Sequence, residues 1–490
     1  MKQFGTFFKN FAQSTRFFFS KQNKEKYAMV PEKGIVAGVS VFPDCSRKTM
    51  EKYYPSSLKL RSVIFIHRHG SRTPVGTISE KKIGFFTPEF CKNLETNLIK
   101  KQHSLKNISS ENEENGPMMS YRKKNSNDMS PFRIVFDKTK NHSPDEKLRL
   151  VAGSKKKVEN LSEIASNNDR CYPGQLTDIG YTFMGSLGKR LRELYVEKLG
   201  FLPEKYNPEL VHFRSTQYVR ALESVHALAN SLYPNPETRH IIQTRARKYE
   251  TLQPSPECAR YMELNNAHIE RETEKHKDTL DKINKKVAKA LGVDEIKEPL
   301  KRIWDVLHSR YVHGMHTPKG ITLGFIKKME ILKTNILKGF TVDEEAFRLG
   351  SGRLMQEIAE NIRKTHWAAT TSGAARDPNV PAEAPPLLSI LSGHDSTLCP
   401  LTIYLLGIRA GEWPSFGSNI TFELLSEKTK KAEEVFYVRT KHNDKFIALP
   451  KCAGHEHPTD KTLCRMSRFL EICDNATPKN YEEECKPKNK

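Results

Sequence analysis

Arg68, His69 and Arg72 fall in one short stretch, Arg68-His69-Gly70-Ser71-Arg72-Thr73-Pro74. Guanidinium forks match phosphate oxygens in geometry and charge, and a neutral imidazole between them is a usable nucleophile. Two further groups of related chemistry lie far along the chain: Arg214, and the pair His394-Asp395. Brought together, these residues have the parts to hydrolyse a phosphomonoester without a metal. Cationic donors offset charge on the transferring phosphoryl group, one imidazole attacks, and one carboxyl handles the leaving-group proton. A lone Arg-His-Gly reads better as a strand followed by a basic surface turn. The second arginine and Pro74 tip the balance towards phosphate chemistry.

Each group follows a short apolar run: Val63 to Ile66, Leu210 to Phe213, and Leu387 to Leu391. Such runs have the pattern of strands buried on both faces, and Pro74 stops regular structure after the first. Ligands of open α/β sheets bind at the carboxyl ends of parallel strands, so three such strands would deliver all six residues to one crevice. Thr177 is placed to cap a helix carrying Ile179, Phe183, Leu187, Leu191 and Leu194 on one face, to about Lys198. Further helices are expected through Ala221 to Leu232 and from Ser396 to Leu406, with a hairpin from Ile420–Leu424 and Val435–Val438. From about Tyr249 to Ala368 the chain is charged and helical. The fold class expected is α/β: a mostly parallel central sheet flanked by helices, with an inserted helical cap domain. The core takes 45–105, 170–240 and 385–450; a polar, partly disordered insertion takes 106–169, with a local strand at Phe132 to Phe136. The cap takes 241–384, with its Ala- and Pro-rich end as a linker, and a basic Cys-containing tail takes 451–490.

Arg-His-Gly-x-Arg-x-Pro at 68–74 resembles the signature of the histidine acid phosphatase family (branch 2). Gly174-Gln175-Leu176-Thr177 with Gly180, then Arg214-Ser215-Thr216 with Arg220 and Ser224, then His394-Asp395, resemble its later blocks. Leu349 to Leu354, leading into a helix, also fits. The resemblance covers most of 58–450 and implies a histidine phosphatase/phosphoglycerate mutase-like fold. By motif position it implies that His69 forms a phosphohistidine, that Arg68, Arg72, Arg214 and His394 hold the phosphate, and that a protonated Asp395 serves the leaving group. It implies no metal and no cofactor, and a small or lipid phosphomonoester as substrate, lysophosphatidic acid by preference. A phytase-like inositol polyphosphate phosphatase is the enzymatic alternative, and a catalytically silent protein bound to anionic membrane is the alternative of another class. His69 must be neutral while Asp395 carries a proton, and an arginine cluster favours the neutral imidazole.

The 490 residues carry a formal charge of +22, with mean hydropathy of −0.62. An anionic partner is implied, although most lysines read as a solvated surface. No zinc-finger or RNA-binding pattern and no basic–aromatic stripe supports nucleic acid. Residues 1–30 begin basic and acid-free, with Phe4, Phe7, Phe8 and Phe11 on one helical face. That pattern suits a mitochondrial presequence or an anchor at an anionic membrane surface. Five Asn-x-Ser/Thr sequons, at Asn107, Asn141, Asn160, Asn419 and Asn475, keep the secretory route open. His67 reads as structural and Arg220 as a helix-surface or supporting group. Asp178 and Glu223 read as surface or capping residues, and Glu423 has no assignment. Nine cysteines are odd in number; disulfides or buried thiols are favoured over zinc held by Cys452, His455, His457 and Cys464.

Overall fold

The computed structural model describes residues 45–79, 83–91, 118–120, 132–137, 170–235, 238–338, 343–371, 385–407, 413–429 and 433–488. A short helix α1 (Arg47–Tyr53) leads to the long strand β1 (Leu58–Arg68), followed by β2 (Met118–Ser120) and β3 (Phe132–Asp137). Helix α2 (Asp178–Leu191), widening to π-type turns over Arg192–Lys198, precedes β4 (Val211–Ser215), α3 (Val219–Leu232) and β5 (His240–Thr244). The described residues then hold five helices: α4 (Ala259–Lys275), α5 (Lys277–Leu291), α6 (Leu300–Val312), α7 (Leu323–Leu337) and α8 (Glu344–Thr370). The chain closes with β6 (Leu388–Gly393), α9 (Asp395–Leu406), β7 (Asn419–Lys428), β8 (Glu434–His442), β9 (Lys445–Ile447), β10 (Leu463–Arg465), α10 (Met466–Ala476) and α11 (Tyr481–Glu484).

The strands form one sheet in the order β10-β8-β7-β1-β6-β4-β5-β3-β2, with β9 paired to β8. β1, β6, β4, β5 and β3 are mutually parallel. β7, β8 and β10 extend the β1 side antiparallel, the first two as the expected hairpin. Strand alternation divides β1 between two cores. Val63 and Phe65 pack with Leu187, Leu222 and Leu228 from α2 and α3 on one face. Ile64 and Ile66 pack with Met355, Leu398 and Phe469 from α8, α9 and α10 on the other. An unbroken apolar run is what a strand covered on both faces requires.

The long helical stretch divides in two. Helices α5, α6 and α7 share their own core, with Val287, Ile303, Leu307 and Met329 at its centre. Helix α8 instead covers the sheet through Phe347, Leu354 and Ile358, so it belongs to the core layers although the sequence placed it in the cap. Strand β5 straddles residue 241, the expected start of that cap. Its short run His240–Thr244 carries too little pattern to announce a strand; burial beside β4 makes it one. In the insertion, β3 covers the expected local strand and pairs with β5 from Phe132↔His240 onwards. The amino-terminal segment and residues 372–384 lie outside the described residues.

Disulfides join Cys91 to Cys171, Cys258 to Cys485 and Cys452 to Cys464, leaving Cys45, Cys399 and Cys473 as thiols. The last pair uses both thiols of the zinc alternative, and His457 instead contacts Glu427 at 2.9 Å.

Candidate active site

The carboxyl end of β1 delivers the catalytic turn. Its neighbour β6 keeps the parallel register Arg68↔Gly393, which places His394 and Asp395 beside it. The turn is held by a second backbone segment: Thr73 N–H donates to the Gln175 carbonyl at 2.9 Å, and Thr177 N–H to the Ser71 carbonyl at 3.0 Å. Thr177 caps α2 as expected, its hydroxyl accepting from Gly180 N–H. Gly70 and Gly180 let the turn and the start of α2 touch, since a Cβ on Gly180 would lie 2.1 Å from the Ser71 carbonyl oxygen. Gly180 therefore takes the inward place, and Ile179 and Phe183 are only half-buried while Met184 and Leu187 fill the core.

His69 is 2% exposed. Its Nδ1 lies 2.9 Å from the Gly70 carbonyl oxygen. A carbonyl only accepts, so the ring proton sits on Nδ1 and Nε2 keeps its lone pair. Burial and then Arg220, Arg68, His394 and Arg72 hold its basicity well below the usual histidine range. The ring lies 5.4 Å from that of His394, whose Nε2 meets the Thr216 hydroxyl at 2.9 Å.

The two arginines of the turn are braced. Arg68 donates to the Pro414 carbonyl at 2.6 Å and pairs with Asp395 at 3.0 Å, its guanidinium lying 4.3 Å from the Phe416 ring centroid. Arg72 reaches both oxygens of Asp305 on α6, at 3.0 and 3.2 Å. Asp395 also accepts from the Trp413 indole at 3.2 Å. Burial pushes its carboxyl up, but Arg68, Lys301, Lys333 and Arg72 outweigh that and hold it far below the carboxylate range. The expected proton on Asp395 is thus absent while Arg68 is its partner.

Arg214 is not in this group. The strand continues through it to Ser215, and its guanidinium turns to carboxylates, meeting Glu250 at 2.6 Å and Glu357 at 3.0 Å. The third arginine beside the imidazoles is Arg220, in the first turn of α3. It stands against the Tyr218 ring at 4.6 Å and is the foremost charge acting on both His69 and His394. Its reading as a surface or supporting group fails because α3 starts only four residues after β4 ends, which swings its first turn over the pocket.

Glu223 is also not on the surface: it is 4% exposed, and burial pushes its carboxyl well above the usual range. Asp178 is half-buried at the start of α2. His67 is enclosed, with Nδ1 against its neighbour's carbonyl and burial lowering it to about 4, as a structural residue would be. Glu423, on β7, accepts from Tyr54, Tyr195 and Lys441. Besides Arg220, sequence reasoning missed Asp305, Lys333 and Phe416.

Among the described residues no cluster of His, Cys, Asp or Glu could hold a metal ion, and no helix is long and apolar enough to cross a membrane. A family model described as "Histidine phosphatase superfamily (branch 2)" matches residues 59–319. Human lysosomal acid phosphatase is 28% identical over 340 residues, covering 64% of this chain and 72% of that protein. Human lysophosphatidic acid phosphatase type 6 is 26% identical over 317 residues, covering 64% and 69%. The apo phytase of Hafnia alvei superposes with a TM-score of 0.51 at 12% identity, over 89% of this chain and all 100% of that one, a likeness of fold alone. With the signature turn, the parallel seam and the family match in agreement, the chain belongs to branch 2 of the histidine phosphatase superfamily and is a phosphatase.

Proposed function

We propose that the protein hydrolyses a small or lipid phosphomonoester, lysophosphatidic acid by preference, through a phosphohistidine on His69. One observation carries the mechanism: the His69 proton is fixed on Nδ1 by the Gly70 carbonyl, in a ring of cations that keeps Nε2 unprotonated. Arg68, Arg72, Arg220 and His394 receive the phosphoryl oxygens, and Nε2 attacks phosphorus as the bond to the leaving oxygen breaks. Incoming phosphate competes with Asp395 for Arg68, and its negative charge raises the proton affinity of the freed carboxyl. A substrate monoanion supplies that proton, which Asp395 passes to the leaving oxygen. Its carboxylate then takes a proton from the attacking water as the P–N bond breaks and the electron pair returns to Nε2. Abundant monoanion and a neutral imidazole together favour acidic working pH.

Preference for a lysophospholipid is supported by the similarity to lysophosphatidic acid phosphatase type 6. Three disulfides favour an oxidising compartment, so we place the chain on the secretory route rather than in mitochondria. The exposed sequon Asn475 suits that route, whereas Asn419 is enclosed.

Rapid non-acidic quenching with ³²P-labelled substrate should trap label on His69. Label should be absent, and turnover lost, in His69→Ala; turnover surviving there ends the mechanism. Rates on lysophosphatidate, phytate and an aryl phosphate then decide the substrate, and a preference for phytate would transfer the reading to inositol polyphosphates.

A further inference from the structure

Lys333, on α7, is buried to 1% exposure, and its Nζ has no hydrogen-bond partner among the described residues. An enclosed ammonium without an acceptor is costly and calls for an explanation. Its surroundings supply one. The Nζ lies 3.2 Å from the Trp304 ring centroid and 3.5 Å from that of Trp413. Two indole faces attract a cation and offer a neutral amine nothing comparable. The second of these rings is the one whose N–H donates to Asp395.

We propose that Lys333 is a positioning residue for Asp395: its ammonium, held between two indole rings, clamps the Trp413 ring whose N–H meets the carboxyl. The inference rests on the reading of Asp395 as the leaving-group acid. Lysine is not redundant with Arg68 in this place. In that reading incoming phosphate competes for Arg68, whereas Lys333 is held by its two rings.

The charges around the carboxyl come from several elements. Arg68 from β1, Arg72 from the turn, Lys301 from α6 and Lys333 from α7 all favour its ionised form. Arg220 from α3 and His394 from the same loop are close by, and Cys399, one turn along α9, is a neutral thiol pushed up to about 12 by burial. Burial, joined by Arg68, pulls the Lys333 amine well below the usual lysine range, and Asp395 and Glu330 act against that; the two indole faces add what holds the proton on Nζ, and His308 stacks on Trp304 at 4.4 Å.

The test is the pH profile of kcat on aryl phosphates of graded leaving group, for the whole chain and its variants. The substrate's own ionisation is common to all of them, so differences report the enzyme. Lys333→Met should move the alkaline limb up by about one pH unit, the shift expected on losing a nearby opposite charge, and Lys333→Arg should move it back. Trp413→Phe, which keeps a ring but removes the N–H, should shift the limb the same way and serves should Lys333→Met fail to fold. In an Asp395→Asn background Lys333→Met should move nothing. Unmoved limbs in Lys333→Met and Trp413→Phe, with a leaving-group penalty intact in Asp395→Asn, would overturn the role of Lys333 alone. No leaving-group penalty in Asp395→Asn would overturn the acid role and this proposal with it.

Discussion

Two arginines six residues apart have opposite fates. Arg214 is enclosed between Glu250 and Glu357, and Arg220 stands beside the two imidazoles. Arg220→Ala should lower kcat/KM by about 10²–10³-fold, the scale for losing one preorganised donor to a developing charge, with unchanged denaturation. Arg214→Ala leaves the buried Glu250 carboxylate without its cation, while Glu357 keeps Arg245, and should cost about 3–5 kcal/mol of stability. Steady-state kinetics alongside urea denaturation separates the two; the reverse pattern would restore Arg214 to the site. The sequence showed His69 and His394 because each directly follows a strand end, where side chains must face the crevice. It could not show the direction of Arg214, which depends on carboxylates 36 and 143 residues away. Asp305, 233 residues from Arg72, was hidden for the same reason.

Elements were legible where a period was long or an end was marked. β1, α2, α9 and the β7–β8 hairpin all stand where their patterns place them. β5 was too short to recognise, and α8 was amphipathic without any sign of which layer it would cover. Its attachment runs through Glu357, which binds Arg214 of β4 and Arg245 just after β5, and accepts from Thr251. Burial pushes that carboxyl up, but the two arginines and the hydroxyl hold it at about 2 against 4.5 in the unfolded chain. Its contribution is complete above about pH 4.5 and is lost as pH falls towards about 2. The urea midpoint should therefore decline between about pH 5 and pH 2.5, and Glu357→Gln should flatten that decline. An identical slope in the variant would remove this junction from the acid response.

At the scale of the molecule, Cys258 at the start of α4 is tied to Cys485 behind the last helix, across 227 residues of sequence. Replacing both by serine should cost about 2–5 kcal/mol, read as a fall in the thermal midpoint; an unchanged midpoint would deny the bond a stabilising part. Peptide mapping without reductant should recover all three bonded pairs. Another long connection has a sharper consequence. β1 lies beside β6, Val63 against Leu388, so the seam carrying His69 and His394 joins residues made early and late in translation. A ribosome-bound nascent chain holds the nucleophile long before His394 and Asp395 exist, and any product ending ahead of Leu388 lacks both. Hydrolysis through this seam therefore waits for β6 and the two residues that follow it.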